Sequence, residues 1–302
     1  MTEGRVTLEL AQATLELAAD ARATLGEGPA WDAGRGVLWW VDITEGIVHR
    51  FDPRTGADGT FDVGSAVGAV ALRGDGTLLA AVADGLANLD PGGARGPEVL
   101  LPLGATGDGL RCNDGKCDPA GRFWVGRMAL DLAPGAGSLL RVDADLAVTT
   151  RLIGLTIPNG LGWSPDGRTM YFVDSTWGEV RAYDYDASTG SMGEGRPLIH
   201  LPHDGSVPDG LTVDAEGCLW VAIWGGGRVV RVGPDGTIVG QVALPVSRVT
   251  SCTFGGDDLA DLYITTARGD ADTADPAGEP LAGALFRCRP GVRGLPPVPF
   301  AG

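Results

Sequence analysis

The apolar positions of the chain fall into short alternating runs separated by polar turns, and this arrangement recurs six times. The six units start 41, 45, 46, 50 and 42 residues apart, which is the spacing of β-propeller blades. Each unit opens with a short strand and reaches a turn at about its sixth to ninth position. The first positions of the six units are Glu27, Gly68, Asn113, Asn159, Asp209 and Ser251.

A second strand follows the turn in every unit. These segments are rich in β-branched or aromatic residues and too short for a helix: VLWWVDI (37–43), TLLAAVA (77–83), RFWVGRM (122–128), TMYFVDS (169–175), CLWVAIW (218–224) and DLYITTA (261–267). A third strand comes next, and five units continue into a fourth. Because the sixth unit lacks the fourth strand, we expect residues 14–25 to complete it and to close the ring, which removes exposed sheet edges. The pattern predicts an all-β, six-bladed propeller with four-stranded blades, formed by residues 1–302 as one domain.

Composition narrows the class of function. The hydrophobic content of 44% is sufficient for a large core, and the net charge of −16 argues against nucleic acid. We see neither a secretory leader nor an apolar run of membrane-spanning length. The five cysteines are an odd number without paired spacing, so free thiols in a reducing cytoplasm are expected. We therefore expect a cytoplasmic monomer or small homo-oligomer that binds neither nucleic acid nor membrane.

The first strand of each blade lines the central channel, so the six first positions should converge on the axis. Glu27, Asn113, Asn159 and Asp209 would then bring two carboxylates and two carboxamides together. Such hard oxygen donors suit Ca²⁺, Mg²⁺ or Mn²⁺. Asn159-Gly160 and Asp209-Gly210 are also ordinary turn dipeptides. A turn alone leaves unexplained why two carboxylates converge where they would repel each other without a cation.

Three further side chains are candidates for the mouth of the channel. Trp177 and Trp224 follow second-strand segments, where aromatic rings could stack on a substrate. His203 lies in the loop before Asp209, although a solvated surface role is the usual one for a lone loop histidine. We expect the other tryptophans at strand positions to belong to the core between blades: Trp31, Trp124 and Trp220.

Several motifs together resemble the regucalcin, gluconolactonase and luciferin-regenerating-enzyme family (senescence-marker-protein-like), in its bacterial sugar-lactonase form. They are GEGPAWD with LWWVDI, RCNDGKCDPAGRFWVGRM, PNGLGWSPDG with YFVDS, PDGLTVDAEGCLWVA, and SRVTSCTFGG with LYITTAR. The resemblance runs from about Leu25 to Phe286. It implies a six-bladed propeller that binds one divalent ion, with Ca²⁺ favoured and Mg²⁺, Mn²⁺, Zn²⁺ or Fe²⁺ as alternatives.

The same resemblance implies roles for individual residues. The metal ligands would be Glu27, Asn159 and Asp209, with Asn113 near the ion and in contact with the substrate. Arg111 would contact a sugar lactone. The family pattern also has a glutamate in a longer loop of the third blade, whereas this chain has only ALDLAPGAG at 129–137. One sugar contact is therefore expected to be missing or replaced.

These residues predict a metal-dependent hydrolase that opens a small lactone, most readily a sugar (aldono-) lactone, to its acid. The ion would polarise the carbonyl. Asp209 would serve as general base as well as metal ligand, and the alternative is that it only binds the metal. A non-sugar lactonase or a phosphotriesterase on the same metal site is the alternative enzyme. A non-catalytic calcium-binding propeller is the alternative without turnover.

Overall fold

Six antiparallel sheets of four strands make up the architecture in a computed structural model that describes residues 14–92, 96–104, 107–201, 204–269 and 278–302. No α-helix occurs within these ranges, and a single 3-10 turn spans Ser175–Trp177. The sheets are the blades of a six-bladed β-propeller, which confirms the fold prediction. No helix in the described ranges is long and apolar enough to cross a membrane.

The first three blades each use four consecutive strands, and a short strand, β1 (Glu16–Ala19), precedes them. Blade 1 contains β2 (Gly26–Asp32), β3 (Val37–Asp42), β4 (Ile47–Asp52) and β5 (Ala57–Asp62). Blade 2 contains β6 (Val67–Leu72), β7 (Leu78–Val82), β8 (Gly85–Leu89) and β9 (Glu98–Pro102). Blade 3 contains β10 (Leu110–Cys117), β11 (Phe123–Ala129), β12 (Gly137–Val142) and β13 (Val148–Leu155).

The last three blades follow the same order except at the end of the ring. Blade 4 contains β14 (Pro158–Trp163), β15 (Thr169–Asp174), β16 (Glu179–Asp186) and β17 (Ser191–His200). Blade 5 contains β18 (Val207–Val213), β19 (Leu219–Trp224), β20 (Arg228–Val232) and β21 (Ile238–Ala243). Blade 6 contains β22 (Val249–Gly255), β23 (Asp261–Thr266), β24 (Leu285–Cys288) and, as its outer strand, β1.

Blade 6 closes the ring, as the sequence predicts. β1 pairs with β24 antiparallel, with Glu16 opposite Arg287 and Leu17 opposite Phe286. The Arg287 guanidinium also donates a 2.5 Å hydrogen bond to the Glu16 carboxylate. The start of the described chain is thus joined to its last strand, and the outer edge of the sixth sheet is covered.

The core lies between neighbouring blades and is largely aromatic. Trp31 stacks on Tyr263 with ring centroids 5.8 Å apart. Trp124 packs edge-on against Trp163, and Trp220 packs edge-on against Phe254. The prediction that these three tryptophans belong to the core is confirmed. All five cysteines are also buried and free, as expected for thiols without disulfide partners.

Three aspartates in the turns after the inner strands of blades 1, 3 and 5 anchor the next strand. We call Asp32, Asp118 and Asp214 the turn aspartates. Each accepts a hydrogen bond from a backbone N–H of its own turn and from the indole N–H of a tryptophan on the following strand. Each also accepts from an arginine guanidinium. Because every buried carboxylate oxygen here has donors, these residues serve the fold.

The C-terminal strap, residues 293–302, crosses the lower face of the propeller, the face on which the inner strands end. Its backbone bonds to the turns of four blades. Gly294 donates to Leu259 of blade 6 at 2.8 Å, and Phe300 donates to Leu72 of blade 2 at 2.7 Å. The strap also bonds to Ala215 of blade 5 and to Gly121 of blade 3. It therefore links blades that are not adjacent in the ring.

Candidate active site

The inner strands of all six blades are irregular at one level of the channel. Their register with the second strand shifts between Glu27 and Ala30, Val67 and Ala69, Cys112 and Gly115, Pro158 and Leu161, Pro208 and Leu211, and Val249 and Ser251. A bulge inserts extra residues into one strand and re-aims their side chains. The predicted site residues Glu27, Asn113, Asn159 and Asp209 lie at or within these irregularities, and all four are buried.

Glycines allow neighbouring inner strands to approach closely at this level. A Cβ added to Gly68 would lie 2.4 Å from the carbonyl oxygen of Asn113. A Cβ added to Gly160 would lie 2.6 Å from the carbonyl oxygen of Asp209. Both distances are shorter than atoms tolerate, so only glycine fits these two positions. The Gly that follows Asn159 is therefore required for packing as well as for the turn.

A chain of hydrogen bonds joins the predicted polar residues of blades 3, 4 and 5. Arg111 donates to the side-chain oxygen of Asn113 at 2.6 Å, and Asn113 donates to the side-chain oxygen of Asn159 at 2.9 Å. Asn159 donates to Ser175 Oγ at 2.9 Å, and Ser175 donates at 2.7 Å to the carbonyl oxygen of Pro208, next to Asp209. The network fixes both carboxamides and orients their oxygens.

Three carboxylates meet in this part of the channel: Glu27, Asp114 and Asp209, which we call the channel carboxylates. Burial, together with the charge of Asp114, raises the pKa of Glu27 from 4.5 to about 8. Burial, followed by the charges of Glu27 and Asp114, raises the pKa of Asp209 well above its usual range. One oxygen each of Asp114 and Asp209 is buried without a hydrogen-bond partner among the described residues. The three side chains therefore repel one another when ionised and have few hydrogen-bond donors.

Two buried cations offset part of this negative charge. Arg111 interacts with Glu27 and Asp209, although burial lowers its pKa. Lys116 interacts with Asp114 and Glu27, and burial lowers its pKa as well. The Lys116 ammonium also donates a 2.6 Å hydrogen bond across the channel to the carbonyl oxygen of Leu211 in blade 5. When all three carboxylates are ionised, these five side chains carry one net negative charge.

A divalent cation fits this set of donors. Among the described residues, Asp209 Oδ1 has no hydrogen-bond partner, and the carboxylate of Glu27 accepts only from the adjacent Gly28 N–H, at 2.9 Å. Carboxylate and carboxamide oxygens are the ligands that Ca²⁺ and Mg²⁺ prefer. The described residues contain no group of three His, Cys, Asp or Glu arranged as a metal site, and the candidate set instead joins two carboxylates to Asn159. Such a centre can hold an ion and polarise a carbonyl.

The residues predicted at the mouth of the channel are not part of the hydrogen-bond chain that runs from Arg111 to Pro208. Trp177 lies in the 3-10 turn that begins with Ser175, where its ring packs on Phe172 and under Arg181. Trp224 ends β19 and lies under the guanidinium of Arg248. Both rings are half-buried, and their contact with a substrate remains a prediction. His203 lies outside the described residues.

Sequence reasoning missed three residues of the site: Asp114, Lys116 and Ser175. Asp114 and Lys116 belong to the same NDGK segment as Asn113. Charged residues in a strand that lines the channel are candidates for the site, so the sequence did contain a signal for these two. They were overlooked because strict alternation assigns one channel-facing residue to that stretch, whereas the bulge between Cys112 and Gly115 adds residues. Ser175 had no signal beyond its position at the end of the second strand.

The 129–137 loop, in which a sugar contact was expected to be missing, lies beside Arg111. Ala129 pairs with Leu110, and Leu130 donates to the carbonyl oxygen of Gly109 at 2.9 Å. Leu130 and Leu132 are 64% and 51% exposed. This side of the mouth therefore carries two exposed leucines, with the exposed Asp131 between them.

Comparison with known proteins places the chain in a family. The SMP-30/Gluconolactonase/LRE-like region matches residues 25–268. Regucalcin of Gallus gallus is 38% identical over 299 residues, covering 95% of this chain and 98% of that protein. Pentonolactonase XacC of Haloferax volcanii is 39% identical over 287 residues, covering 94% and 97%. The crystal structure of a calcium-binding protein, regucalcin, from Agrobacterium tumefaciens superimposes with a TM-score of 0.90 at 30% identity, covering 95% and 97%. The chain belongs to the SMP-30/gluconolactonase/LRE-like family.

Proposed function

We propose that the protein hydrolyses a small lactone, most readily a sugar lactone, at a centre that holds one divalent ion, with Ca²⁺ favoured. The observation that carries the proposal is the convergence of buried, incompletely hydrogen-bonded carboxylates with Asn159 on the channel axis. The relative named pentonolactonase supports the substrate class. The calcium-binding relative of known structure supports the ion.

Each residue has a distinct role in this proposal. Glu27, Asn159 and Asp209 hold the ion, which supplies Lewis-acid polarisation of the lactone carbonyl when bound. Asn113 orients the substrate, since its side chain is already fixed between Arg111 and Asn159. Arg111 presents N–H groups to ring hydroxyls or to the carbonyl oxygen.

Asp209 is the candidate general base. Its Oδ1 has no hydrogen-bond donor among the residues that the structure describes, so the ionised carboxylate is able to accept a proton from an attacking water. The water oxygen bonds to the carbonyl carbon, the bond from that carbon to the ring oxygen breaks, and the ring oxygen leaves as a hydroxyl by taking the proton back from Asp209.

The test is proton release by metal-stripped protein against a panel of pentono- and hexonolactones, with each divalent ion restored in turn. We expect turnover to return with the ion and to be lost in Glu27→Ala. Glu98→Ala is the matched control, because Glu98 is an exposed glutamate of the outer strand β9. Ion binding without turnover above the spontaneous rate would contradict the hydrolase and leave a calcium-binding propeller.

One observation favours a second candidate, a lactonase for non-sugar substrates. The exposed Leu130 and Leu132 give the mouth beside Arg111 an apolar side that a polyhydroxylated ring would leave unused. Alkyl-substituted γ- and δ-lactones and a phosphotriester therefore belong in the same panel. Faster turnover of alkyl lactones than of pentonolactones would select this candidate.

A further inference from the structure

A single layer of side chains lies directly below the candidate site, toward the lower face. Its six members occupy equivalent places in the inner strands, as their pairing with the second strands shows: Ala30, Ala71, Lys116, Gly162, Thr212 and Thr253. Five of the six are small. Lys116 is the long one, and its ammonium spans the channel to Leu211. Within this layer, the Lys116 side chain therefore occupies one side of the channel, and the small residues leave the other side open.

These six residues, together with residues nearer the lower face, line a cavity of about 400 Å³, which we call the lower chamber. Its walls include Trp31, Leu72, Trp163 and Phe254, and the C-terminal strap contributes Leu295 and Val298. The volume lies within the range of small-molecule sites, about 300–1,000 Å³. The lower chamber is thus large enough for a ligand, and the strap forms part of its lower boundary.

Two polar atoms of the chamber lining lack partners. Asp114 Oδ2 and Trp163 Nε1 are both buried and without a hydrogen bond among the described residues. An unsatisfied buried polar atom is costly, so such atoms mark places where a bound molecule supplies the missing bond. Asp114 offers an acceptor near the upper end of the chamber, and Trp163 offers a donor lower in an adjacent blade.

The lining also indicates the charge of the ligand. The carboxylate of Asp114 interacts with the ammonium of Lys116, which lines the same cavity. The charges of this pair offset each other, and most of the other lining side chains are apolar. A charged ligand would have to be desolvated without a counter-ion. A neutral molecule with an apolar body meets no such penalty.

We propose that the lower chamber is a second binding site, separate from the metal centre, for a small uncharged molecule with a ring-sized apolar body and one hydroxyl group. The hydroxyl donates to Asp114 or accepts from Trp163, and the ring packs among Trp31, Leu72 and Phe254. The proposal does not depend on lactone hydrolysis, because the ion ligands Glu27, Asn159 and Asp209 are not among the residues that line the chamber.

Benzyl alcohol is a suitable probe, since it combines one ring with one hydroxyl. We would titrate it into ¹⁵N-labelled protein and follow the indole N–H signals of the eight tryptophans, assigning those of Trp31 and Trp163 by Phe substitution. The expected result is saturable movement of these two signals, with a dissociation constant on the order of 1 mM. Benzyl methyl ether, which lacks the donor, is expected to bind about tenfold more weakly.

Blocking variants locate the site. Thr253→Phe and, from blade 5, Thr212→Phe would fill the chamber and reduce affinity by at least about tenfold. Thr150→Phe makes the same replacement on the exposed outer strand β13 and should leave binding unchanged. The thermal melting of each variant confirms that it folds. The proposal is overturned if no saturable binding occurs below about 10 mM, if binding survives in both blocking variants, or if the signals that move belong to Trp177 and Trp224 at the upper mouth.

Discussion

Two sets of buried acidic residues in this propeller have the same chemistry and opposite surroundings. The turn aspartates have several donors each: Asp214 accepts from two backbone N–H groups, the Trp220 indole and the Arg231 guanidinium. The channel carboxylates have few donors, and Asp209 Oδ1 has none in the described part of the chain. For Asp32, burial opposes ionisation, but hydrogen bonds from Arg35 outweigh it and lower the pKa. For Glu27, burial and the charge of Asp114 together raise the pKa.

The difference separates acids that stabilise the fold from acids that are free to act. A carboxylate with all its lone pairs occupied has no capacity to bind an ion or accept a proton. A buried carboxylate without donors destabilises the protein unless a cation arrives. Burial alone therefore does not distinguish the two sets, whereas the number of donors around each carboxylate does.

The largest effect is expected from Asp209→Asn. This change keeps the shape of the side chain but removes the base and one charge of the ion site, so turnover should fall by about 10²- to 10⁴-fold. The unfolding free energy of the metal-free variant should stay equal or rise, because an unpaired buried charge is lost. Steady-state kinetics and urea unfolding measure the two quantities. Near-normal turnover would remove Asp209 from the role of base.

Asp214→Asn should show the reverse behaviour. The Arg231 guanidinium would lose its buried partner, so we expect a loss of about 3–5 kcal/mol in the unfolding free energy. Turnover per folded molecule should change by less than about twofold, because the residue does not touch the site. Urea unfolding and active-site titration with the ion separate these outcomes. A large loss of ion affinity in the folded variant would contradict the division into turn aspartates, which stabilise the fold, and channel carboxylates, which bind the ion.

The third prediction concerns pH. Because the pKa of Glu27 is raised in the folded, metal-free protein from 4.5 to about 8, its contribution to stability is fully present below pH 4.5 and is lost as the pH rises through 8. The slope is at most about 1.4 kcal/mol per pH unit for this one group. Urea unfolding of the chelated protein from pH 5 to pH 8.5 measures it. Glu27→Gln should flatten the curve, as should added Ca²⁺, and an equal slope in that variant would contradict the assignment.

Most of the fold could be predicted because propeller blades repeat in sequence. The spacing of the first positions predicted the inner strands, and the missing fourth strand of the last unit predicted that residues 14–25 would complete blade 6, where β1 now pairs with β24. Arg111, Asn113 and Asn159 were also predicted together, and they are joined by hydrogen bonds. In a propeller, equivalent positions of the repeats meet at the channel axis, so the sequence repeat alone predicts which residues come together.

The remaining features depend on local departures from the repeat. Asp114 reaches the channel because of the bulge after Cys112, and no alternation pattern indicates a bulge. The turn aspartates precede a tryptophan by six or seven residues, but only the hairpin register brings the indole N–H to the carboxylate. The course of the C-terminal strap across four blades has no periodicity, since each of its bonds is made to a different turn.

Ring closure by β1 and β24 makes the proposed metal centre depend on the whole molecule. Glu27 belongs to blade 1 and Asp209 to blade 5, so the two shortest routes between them pass through blade 6 on one side and through three blades on the other. The donors acquire their mutual distances only when the circle is complete. If an ion binds there as proposed, its binding energy would oppose the opening of any boundary between blades, and its release would report that the ring has opened.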